Sequence, residues 1–304
     1  MQSSSSLIHN LQTKFKARFP RLHEKIPALL QLIRFDKPIG VLLLLWPTLS
    51  ALWIAAEGLP SLSLLIIFGL GTFVMRSAGC AVNDFADYDF DGKVERTKTR
   101  PLVNGSLQRK DAITLFLSLC AVGFILVLFT NLETILLAAA AVVIVFIYPF
   151  MKRFTNLPQV ILGVAFSWGI LMAFTAQTGT IPAAAVLLFI ANILWTIAYD
   201  TEYAMVDRDD DLKLGIKSTA ILFGTADRAM IALLQTMFAA SLVLAAQQFN
   251  LGGWFYLGLA VAVGLMLYQL YLIREREPGQ CFKAFLNNNW VGAAIFMGIL
   301  LDYL

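Results

Sequence analysis

The fold is decided by residues 61–91, which read SLSLLIIFGLGTFVMRSAGCAVNDFADYDFD. Residues 61–82 are almost wholly apolar, and a helix needs about 20 such residues to cross a bilayer. The following residues abruptly become acidic. They include Asn83, Asp84, Asp87, Asp89 and Asp91. The stretch therefore predicts a membrane-spanning helix that ends in a strongly acidic segment.

The whole chain has the composition of a membrane protein. Of its 304 residues, 59% are hydrophobic and only 14% are charged, whereas soluble domains are about 45–50% apolar and about 25% charged. Apolar stretches of spanning length recur along the chain and predict an all-α membrane protein, a bundle of about nine transmembrane helices. The predicted spans are roughly 38–56, 61–82, 112–130, 132–150, 158–176, 182–200, 228–248, 252–272 and 287–304.

The Lys and Arg residues between predicted spans are confined to every second connection. These charged connections are 83–111, 151–156, 200–228 and 274–283. Because cytoplasmic loops carry the excess of Lys and Arg, we expect this set and the N-terminus to face the cytoplasm. Residues 1–37 are polar and basic, and they predict a cytoplasmic N-terminal arm ahead of a single domain over residues 38–304.

The reactive residues exclude several classes of enzyme. The histidines are His9 and His23, both in the N-terminal arm, so histidine-based catalysis is not expected. The cysteines Cys80, Cys120 and Cys281 are widely spaced and predict neither a zinc site nor a disulfide framework. The sequence holds no dinucleotide-binding fingerprint and no P-loop, and we expect no nucleic-acid partner.

Two acidic segments of matched spacing lie at predicted helix ends. Asn83, Asp87 and Asp91 are spaced i, i+4 and i+8, which places them on one face of a helix. The same spacing recurs at Tyr203, Asp207 and Asp211. Carboxylates crowded near a membrane repel one another. Ionisable residues in such places usually mark a functional site. Mg²⁺ relieves such repulsion and usually binds a few carboxylates together with substrate phosphates. The two segments therefore predict a magnesium site for a diphosphate.

Other interpretations of the acidic segments compete with a magnesium site. Solvated loop charges would explain one such run more easily than two. A calcium loop is suggested by Asp87, Asp89 and Asp91, but an EF-hand needs glutamate at its twelfth position, which here is Lys98. An ion or proton pathway is a third alternative, although transport sites usually lie near the bilayer midplane.

Basic residues lie close to both acidic segments in the sequence. Residues 95–102 follow the first segment and contain several of them, Lys152 and Arg153 occupy the turn after the fourth span, and Arg34 and Lys37 precede the first span. Cations beside bound Mg²⁺ suit a strongly anionic ligand such as a diphosphate. The positive-inside rule accounts equally well for any one of them.

The acidic motifs resemble those of the UbiA family of intramembrane prenyltransferases. Asn83-Asp84-x-x-Asp87-x-x-x-Asp91 matches the first aspartate-rich motif of that family. Asp200-x-x-Tyr203-Ala204-x-x-Asp207-x-x-x-Asp211 matches the second. Residues 38–49, 148–155 and 215–220 are further similar to the family members that act on 4-hydroxybenzoate.

The resemblance implies a fold and an activity. The expected fold is a bundle of nine helices around a central cavity, with a cytoplasmic cap built from the two motif segments. The expected enzyme uses Mg²⁺ to transfer a polyprenyl group from polyprenyl diphosphate to 4-hydroxybenzoate, at the ring carbon ortho to the hydroxyl. This reaction is a step of ubiquinone biosynthesis. For a bacterial protein, the expected location is the cytoplasmic (inner) membrane, with the N-terminus and the active-site loops in the cytoplasm. Another acceptor, such as naphthoate or haem, and a membrane transporter are the alternatives.

The resemblance also implies roles for individual residues. The expected metal ligands are Asn83, Asp87, Asp91, Asp207 and Asp211. The expected catalytic residues are Asn83, Asp87, Asp207, Asp211 and Arg153. The residues expected to bind substrate are Arg34, Asp84, Lys152, Arg153, Asp200 and Tyr203. The basic residues among them are candidates for holding either the diphosphate or the acceptor carboxylate.

Overall fold

The protein is a bundle of helices. A computed structural model describes residues 20–304, apart from the side chains at positions 21, 22 and 95. The helices are α1 (Pro20–Leu32), α2 (Ile39–Ala56), α3 (Leu62–Asp91), α4 (Arg109–Val127), α5 (Leu132–Ile147), α6 (Pro158–Thr178), α7 (Ala183–Ala204), α8 (Arg208–Leu214), α9 (Thr219–Phe223), α10 (Asp227–Gln248), α11 (Gly253–Leu272) and α12 (Pro278–Asp302). Nine helical spans in this part of the chain are long and apolar enough to cross a membrane. The predicted all-α membrane fold is confirmed, and the chain is a multi-pass membrane protein.

Two helix boundaries differ from the prediction. Helix α3 extends beyond the predicted apolar span 61–82 and continues through the first acidic motif to Asp91, because neither glycine nor proline occurs between residue 82 and Gly92. Helix α12 begins at Pro278 rather than near residue 287. Proline is well suited to the first helical position, where its missing N–H is not needed. Both extensions lie on the side of the bundle that carries the motifs.

The densest packing lies among α2, α6, α7, α10, α11 and α12. Large side chains such as Trp195, Tyr199 and Phe255 are almost fully buried there. Helices α11 and α12 approach closely at Gly258 and Gly298, where an added Cβ at Gly258 would lie 2.5 Å from the carbonyl oxygen of Ala294. Lipid tails offer no hydrophobic force between helices, so such close contacts supply much of the cohesion.

Helix α1 packs against the motif-bearing ends of α3 and α4. Its Leu32 is fully buried in a cluster with Ala78 and Val82, and Lys25 Nζ pairs with Asp111 at 2.8 Å. This part of the predicted arm is therefore attached to the bundle, while residues 1–19 of that arm lie outside the described residues. The division into an arm over 1–37 and one domain over 38–304 stays a prediction.

The connections that carry the two motifs form one layer at this end of the bundle. We call residues 92–108 the first cap segment and residues 205–218 the second cap segment. The second is tied to the turn after α5, because the backbone N–H of Lys217 donates to the carbonyl oxygen of Lys152 at 3.1 Å. The layer covers the polar end of a large internal cavity.

Candidate active site

The cavity has a volume of about 1200 Å³ and brings the two acidic motifs to one site. From α3 it is lined by Asn83, Asp84 and Asp87. From α7 and the second cap segment it is lined by Asp200, Tyr203, Asp207 and Asp211. Residues far apart in the sequence thus line one cavity.

The first motif lies on the continuous helix α3, as expected. Asp84 and Asp87 are 1% and 4% exposed, so their carboxylates are largely removed from solvent. The side-chain amide of Asn83 donates to Asp87 Oδ2 at 3.1 Å, one helical turn further along. This bond orients the Asp87 carboxylate toward the cavity side of the helix.

The second motif does not lie on one continuous helix face, and that prediction is wrong. Helix α7 ends at Ala204, and Asp207 is the N-cap of the separate helix α8. The reason is electrostatic: carboxylates are favoured at a helix N-terminus and disfavoured at its C-terminus. The aspartates at 209–211 occupy the first turn of α8. Asp207 and Asp211 still reach the cavity, but from a second helix.

Three of the motif carboxylates that line the cavity, Asp84, Asp87 and Asp207, are paired with cations from other segments. Asp87 Oδ1 lies 2.6 Å from Lys152 Nζ, in the turn after α5. Asp207 accepts two hydrogen bonds from Arg96, at 2.6 and 3.0 Å. Asp84 lies 2.7 Å from Arg34 and 3.1 Å from Arg100. The pairs offset the repulsion between the carboxylates. All four of these cations, Arg34, Arg96, Arg100 and Lys152, lie on the cavity wall.

The electrostatics of the cap follow from these pairs. Burial acts to lower the pKa of the Arg34 guanidinium, but Asp84, Cys80 and Tyr203 together outweigh it, and the pKa lies above its usual value. For Arg96, burial is likewise outweighed by Tyr203 and Asp207, which raises its pKa. Burial, followed by the nearby Asp207 carboxylate, raises the pKa of Asp211 to about 7. The negative charge of Asp211 is therefore less well compensated by nearby cations than the charges of Asp87 and Asp207 are.

Two predicted site residues lie outside the cavity lining. Asp91 pairs with Arg100 at 2.5 Å, and its backbone carbonyl accepts from Thr97 at 2.6 Å, which fastens the first cap segment to α3. Arg153 donates to the carbonyl oxygen of Ala86 and lies over the Phe90 ring, 5.2 Å from its centroid. In this arrangement both residues contact the segments that carry the site without lining the cavity. Their roles in metal binding and catalysis stay predictions.

Arg76 is a cavity residue whose role was missed from the sequence. It lies inside α3, lines the cavity and donates from Nη1 to Cys80 Sγ, while its buried Nε has no hydrogen-bond partner. None of the ion pairs among the described side chains involves it. The sequence did indicate a role for Arg76, because a basic residue within an apolar span is rare and usually functional.

The polar wall fits Mg²⁺ only together with an anionic ligand. In the described part of the chain, no three His, Cys, Asp or Glu side chains form a metal cluster on their own. The wall instead offers oxygen donors from two sides, with Asn83 and Asp87 on one and Asp207 and Asp211 on the other. Mg²⁺ characteristically takes one or two carboxylates and completes its shell with waters and substrate phosphates. The donor set therefore suits a metal–diphosphate rather than a bare ion.

Away from the motifs the cavity becomes long and apolar. It is lined by Met75 and Gly71 on α3, by Gly123 on α4, and by Ala138 on α5. Thr130, beyond the far end of α4, also lines it. The cavity thus runs from the charged cap through much of the thickness of the bundle, which suits a ligand with an anionic head and a long hydrocarbon tail.

Comparison with known proteins matches both sequence and fold. The model of the UbiA prenyltransferase family matches residues 44–297. A protein of Pseudomonas fluorescens (strain Pf-5) named 4-hydroxybenzoate octaprenyltransferase is 58% identical over 283 residues, which are 93% of this chain and 96% of that protein. A protein of the same name from Pseudomonas aeruginosa (strain UCBPP-PA14) is 56% identical, with the same coverage.

Solved structures share the fold. The apo structure of a UbiA homologue from Aeropyrum pernix K1 is 24% identical with a TM-score of 0.77, over 87% of this chain and 98% of that one. A UbiA homologue from Archaeoglobus fulgidus, bound to GPP and Mg²⁺, is 17% identical with a TM-score of 0.69, over 91% and 99% of the two chains. The helical architecture described above is thus that of known membrane proteins.

Proposed function

The chain belongs to the UbiA prenyltransferase family, and from that premise we propose that it is a 4-hydroxybenzoate polyprenyltransferase. It transfers a polyprenyl group from polyprenyl diphosphate to the ring carbon ortho to the hydroxyl of 4-hydroxybenzoate and releases diphosphate. The product is a precursor of ubiquinone. Relatives that are 56–58% identical over nearly the full chain carry the name 4-hydroxybenzoate octaprenyltransferase.

The observation that carries the proposal is the continuity of one cavity from a charged end to an apolar end. A prenyl diphosphate is an anion joined to a hydrocarbon tail, and both halves find a matching wall. Burying each CH₂-sized group of the tail away from water contributes about 0.8 kcal/mol, so the tail stays in the apolar part. The diphosphate is then held at the cap.

The head group is bound by an exchange of partners at the cap. Arg96 and Lys152 now pair with Asp207 and Asp87, and both cations can turn to a diphosphate that enters between them. Asn83, Asp87, Asp207 and Asp211 are the residues we propose to hold Mg²⁺ on that diphosphate. The metal supplies Lewis-acid stabilisation of the negative charge that develops on the leaving group.

Arg76 is the residue we propose to hold the acceptor carboxylate. Its planar guanidinium suits bidentate binding of a carboxylate, and its buried Nε is free for that purpose. The position deep in α3 would hold the acceptor below the diphosphate, with its ring in the less polar part of the cavity. Apolar walls there exclude water, which would otherwise capture the prenyl group as an alcohol.

The location and orientation are proposals as well. The described Lys and Arg residues of the inter-helix connections lie at the cap end of the bundle, which the positive-inside rule assigns to the cytoplasm. We therefore place the active site at the cytoplasmic face of a bacterial inner membrane. A transporter has no specific support, because the acidic groups lie at one end of the cavity rather than near the midplane.

The reaction is tested with purified protein in lipid nanodiscs, given 4-hydroxybenzoate, a long-chain polyprenyl diphosphate and Mg²⁺. Mass spectrometry should detect prenylated 4-hydroxybenzoate, and EDTA should abolish it. Asp87→Ala and Asp207→Ala should lose the product, whereas the matched variants Asp89→Ala and Asp209→Ala, whose side chains are exposed, should retain it. Product with naphthoate but not with 4-hydroxybenzoate would refute the acceptor and retain the prenyl transfer.

A further inference from the structure

Asp227, the first residue of α10, is a fully buried carboxylate that binds two guanidinium groups. Arg208 Nη2 donates to it at 2.5 Å. Arg276 donates to it from Nε at 3.0 Å and from Nη2 at 2.9 Å. We call Arg208, Asp227 and Arg276 the Asp227 clamp. It joins α8, α10 and the turn between α11 and α12, and its three side chains lie outside the cavity lining.

The clamp is adjacent in sequence to the second acidic motif. Arg208 directly follows Asp207, and neighbouring residues of a helix point about 100° apart, since a turn contains 3.6 residues. Asp207 and Asp211 both line the cavity, whereas Arg208 points to Asp227. The rotation of α8 that satisfies the clamp is thus the one that presents both aspartates to the cavity.

Helix α8 cannot hold this rotation by packing. It has seven residues and no buried side chain, and helices shorter than about 12–15 residues are marginal in isolation. The pair of Asp207 with Arg96 also holds the segment. That contact, however, uses the same carboxylate that would bind a metal–diphosphate. The clamp can persist while the ligand is bound, because it uses no cavity residue.

The turn that supplies Arg276 is itself unusual. Arg276 has a φ of 56°, a left-handed conformation that is unfavourable for residues other than glycine. In this conformation its guanidinium reaches both Asp227 and the carbonyl oxygen of Thr225, the latter at 2.9 Å. The surrounding contacts therefore hold a strained residue in place, as is common where position matters.

We propose that the Asp227 clamp is a positioning device that fixes the rotation of α8 and so aims Asp207 and Asp211 at the metal–diphosphate. The inference rests on the proposed function. Residues that orient metal ligands from behind typically change metal affinity or activity by about 10- to 100-fold when mutated. We expect that effect on Mg²⁺ and diphosphate, and little effect on the KM for the acceptor.

A contact that only stabilised the packing of α10 near α12 would behave differently. Asp302 provides the matched control, since its carboxylate accepts backbone N–H groups of Gly252, Trp254 and Phe255 at 2.8–3.0 Å. It lies at the opposite end of α12 from the clamp. Asp302→Asn should lower thermal stability without changing the affinity for metal.

The experiment measures binding before catalysis. Wild type, Asp227→Asn, Asp227→Glu and Asp302→Asn, all in nanodiscs, are titrated with Mg²⁺ and inorganic pyrophosphate in a calorimeter. We expect Asp227→Asn to bind about 10- to 100-fold more weakly and Asp227→Glu to recover part of the loss. In the assay, the Mg²⁺ concentration for half-maximal rate should rise in parallel, while the KM for 4-hydroxybenzoate stays within a factor of about two.

The outcomes separate the clamp from the function on which it rests. If wild type binds Mg²⁺–pyrophosphate and Asp227→Asn binds it equally well, the clamp does not position the motif. If Asp227→Asn only lowers the unfolding temperature, as Asp302→Asn is expected to do, the clamp stabilises the fold and does not position the motif. Should Asp227→Asn fail to fold, the same binding measurements on Arg276→Lys, which retains the charge, test the positioning role. Absence of binding by wild type would overturn the proposed metal site, and the positioning role with it.

Discussion

Substituting Gly40 by alanine tests whether Arg76 holds the acceptor. Gly40 lies in the first turn of α2, and a Cβ there would be 2.5 Å from Arg76 Nη2 and 2.8 Å from Cζ. Ordinary contacts of a Cβ begin near 3.4 Å. The guanidinium is the end of a flexible side chain, so it should move by about 1 Å rather than unfold the bundle. A misplacement of that size can cost about 100-fold in rate, or about 2.7 kcal/mol.

The assay is the steady-state prenylation reaction at saturating prenyl diphosphate. Gly40→Ala should raise the KM for 4-hydroxybenzoate or lower kcat/KM for it by up to about 100-fold, with the Mg²⁺ dependence unchanged. Gly69→Ala is the matched control, because a Cβ at Gly69 meets nothing within 4 Å. Arg76→Gln should reproduce the acceptor defect. An unchanged kcat/KM for 4-hydroxybenzoate in both Gly40→Ala and Arg76→Gln would refute the role of Arg76.

Three further predictions concern the head group, the metal and the packing. Lys152→Gln should raise the KM for prenyl diphosphate by about 10- to 100-fold, since a charge-assisted hydrogen bond contributes about 1.5–3 kcal/mol; an effect confined to the acceptor would contradict it. Removal of divalent cations with EDTA should stop product formation and excess Mg²⁺ should restore it, so activity that persists in EDTA would contradict the metal site. Gly258→Ala should destabilise the protein by about 1–3 kcal/mol, because its Cβ would press on backbone rather than on a movable side chain. Thermal unfolding in detergent measures this, with Gly264→Ala, whose Cβ meets nothing, as the control that should stay near wild type.

The nine spans and the first motif were predictable because their information is local. A hydrophobic stretch of spanning length determines a membrane helix almost without regard to its neighbours. Asn83 and Asp87 share a face of α3 for the same reason: the helix simply continues past the membrane-length stretch. The family resemblance added the central cavity and the residues that face these two across it, which spacing alone did not predict.

The second motif was misjudged because two local rules conflict there. Spacing placed Tyr203, Asp207 and Asp211 on one helix, whereas the preference of carboxylates for helix N-termini starts a new helix at Arg208. The ion pairs that hold the site are tertiary facts. Lys152 reaches Asp87 across 65 residues of sequence, and no periodicity in the chain indicates that pairing. Arg76 was visible as an intramembrane cation, but its open Nε appears only in the folded structure.

The pairing of Asp84, Asp87 and Asp207 with cations explains how an acidic site can exist at a membrane surface before a ligand arrives. Unpaired buried carboxylates would be costly, so the cap supplies Lys152 and Arg96 as internal counter-ions. A metal–diphosphate would bring both charges together: Asp87 and Asp207 would hold the metal, and Lys152 and Arg96 would turn to the diphosphate. Each of these carboxylates and cations would thus keep an oppositely charged partner in the bound state. Because the pair of Arg96 with Asp207 joins the two cap segments, we expect a ligand that breaks this pair to bind between the same two segments.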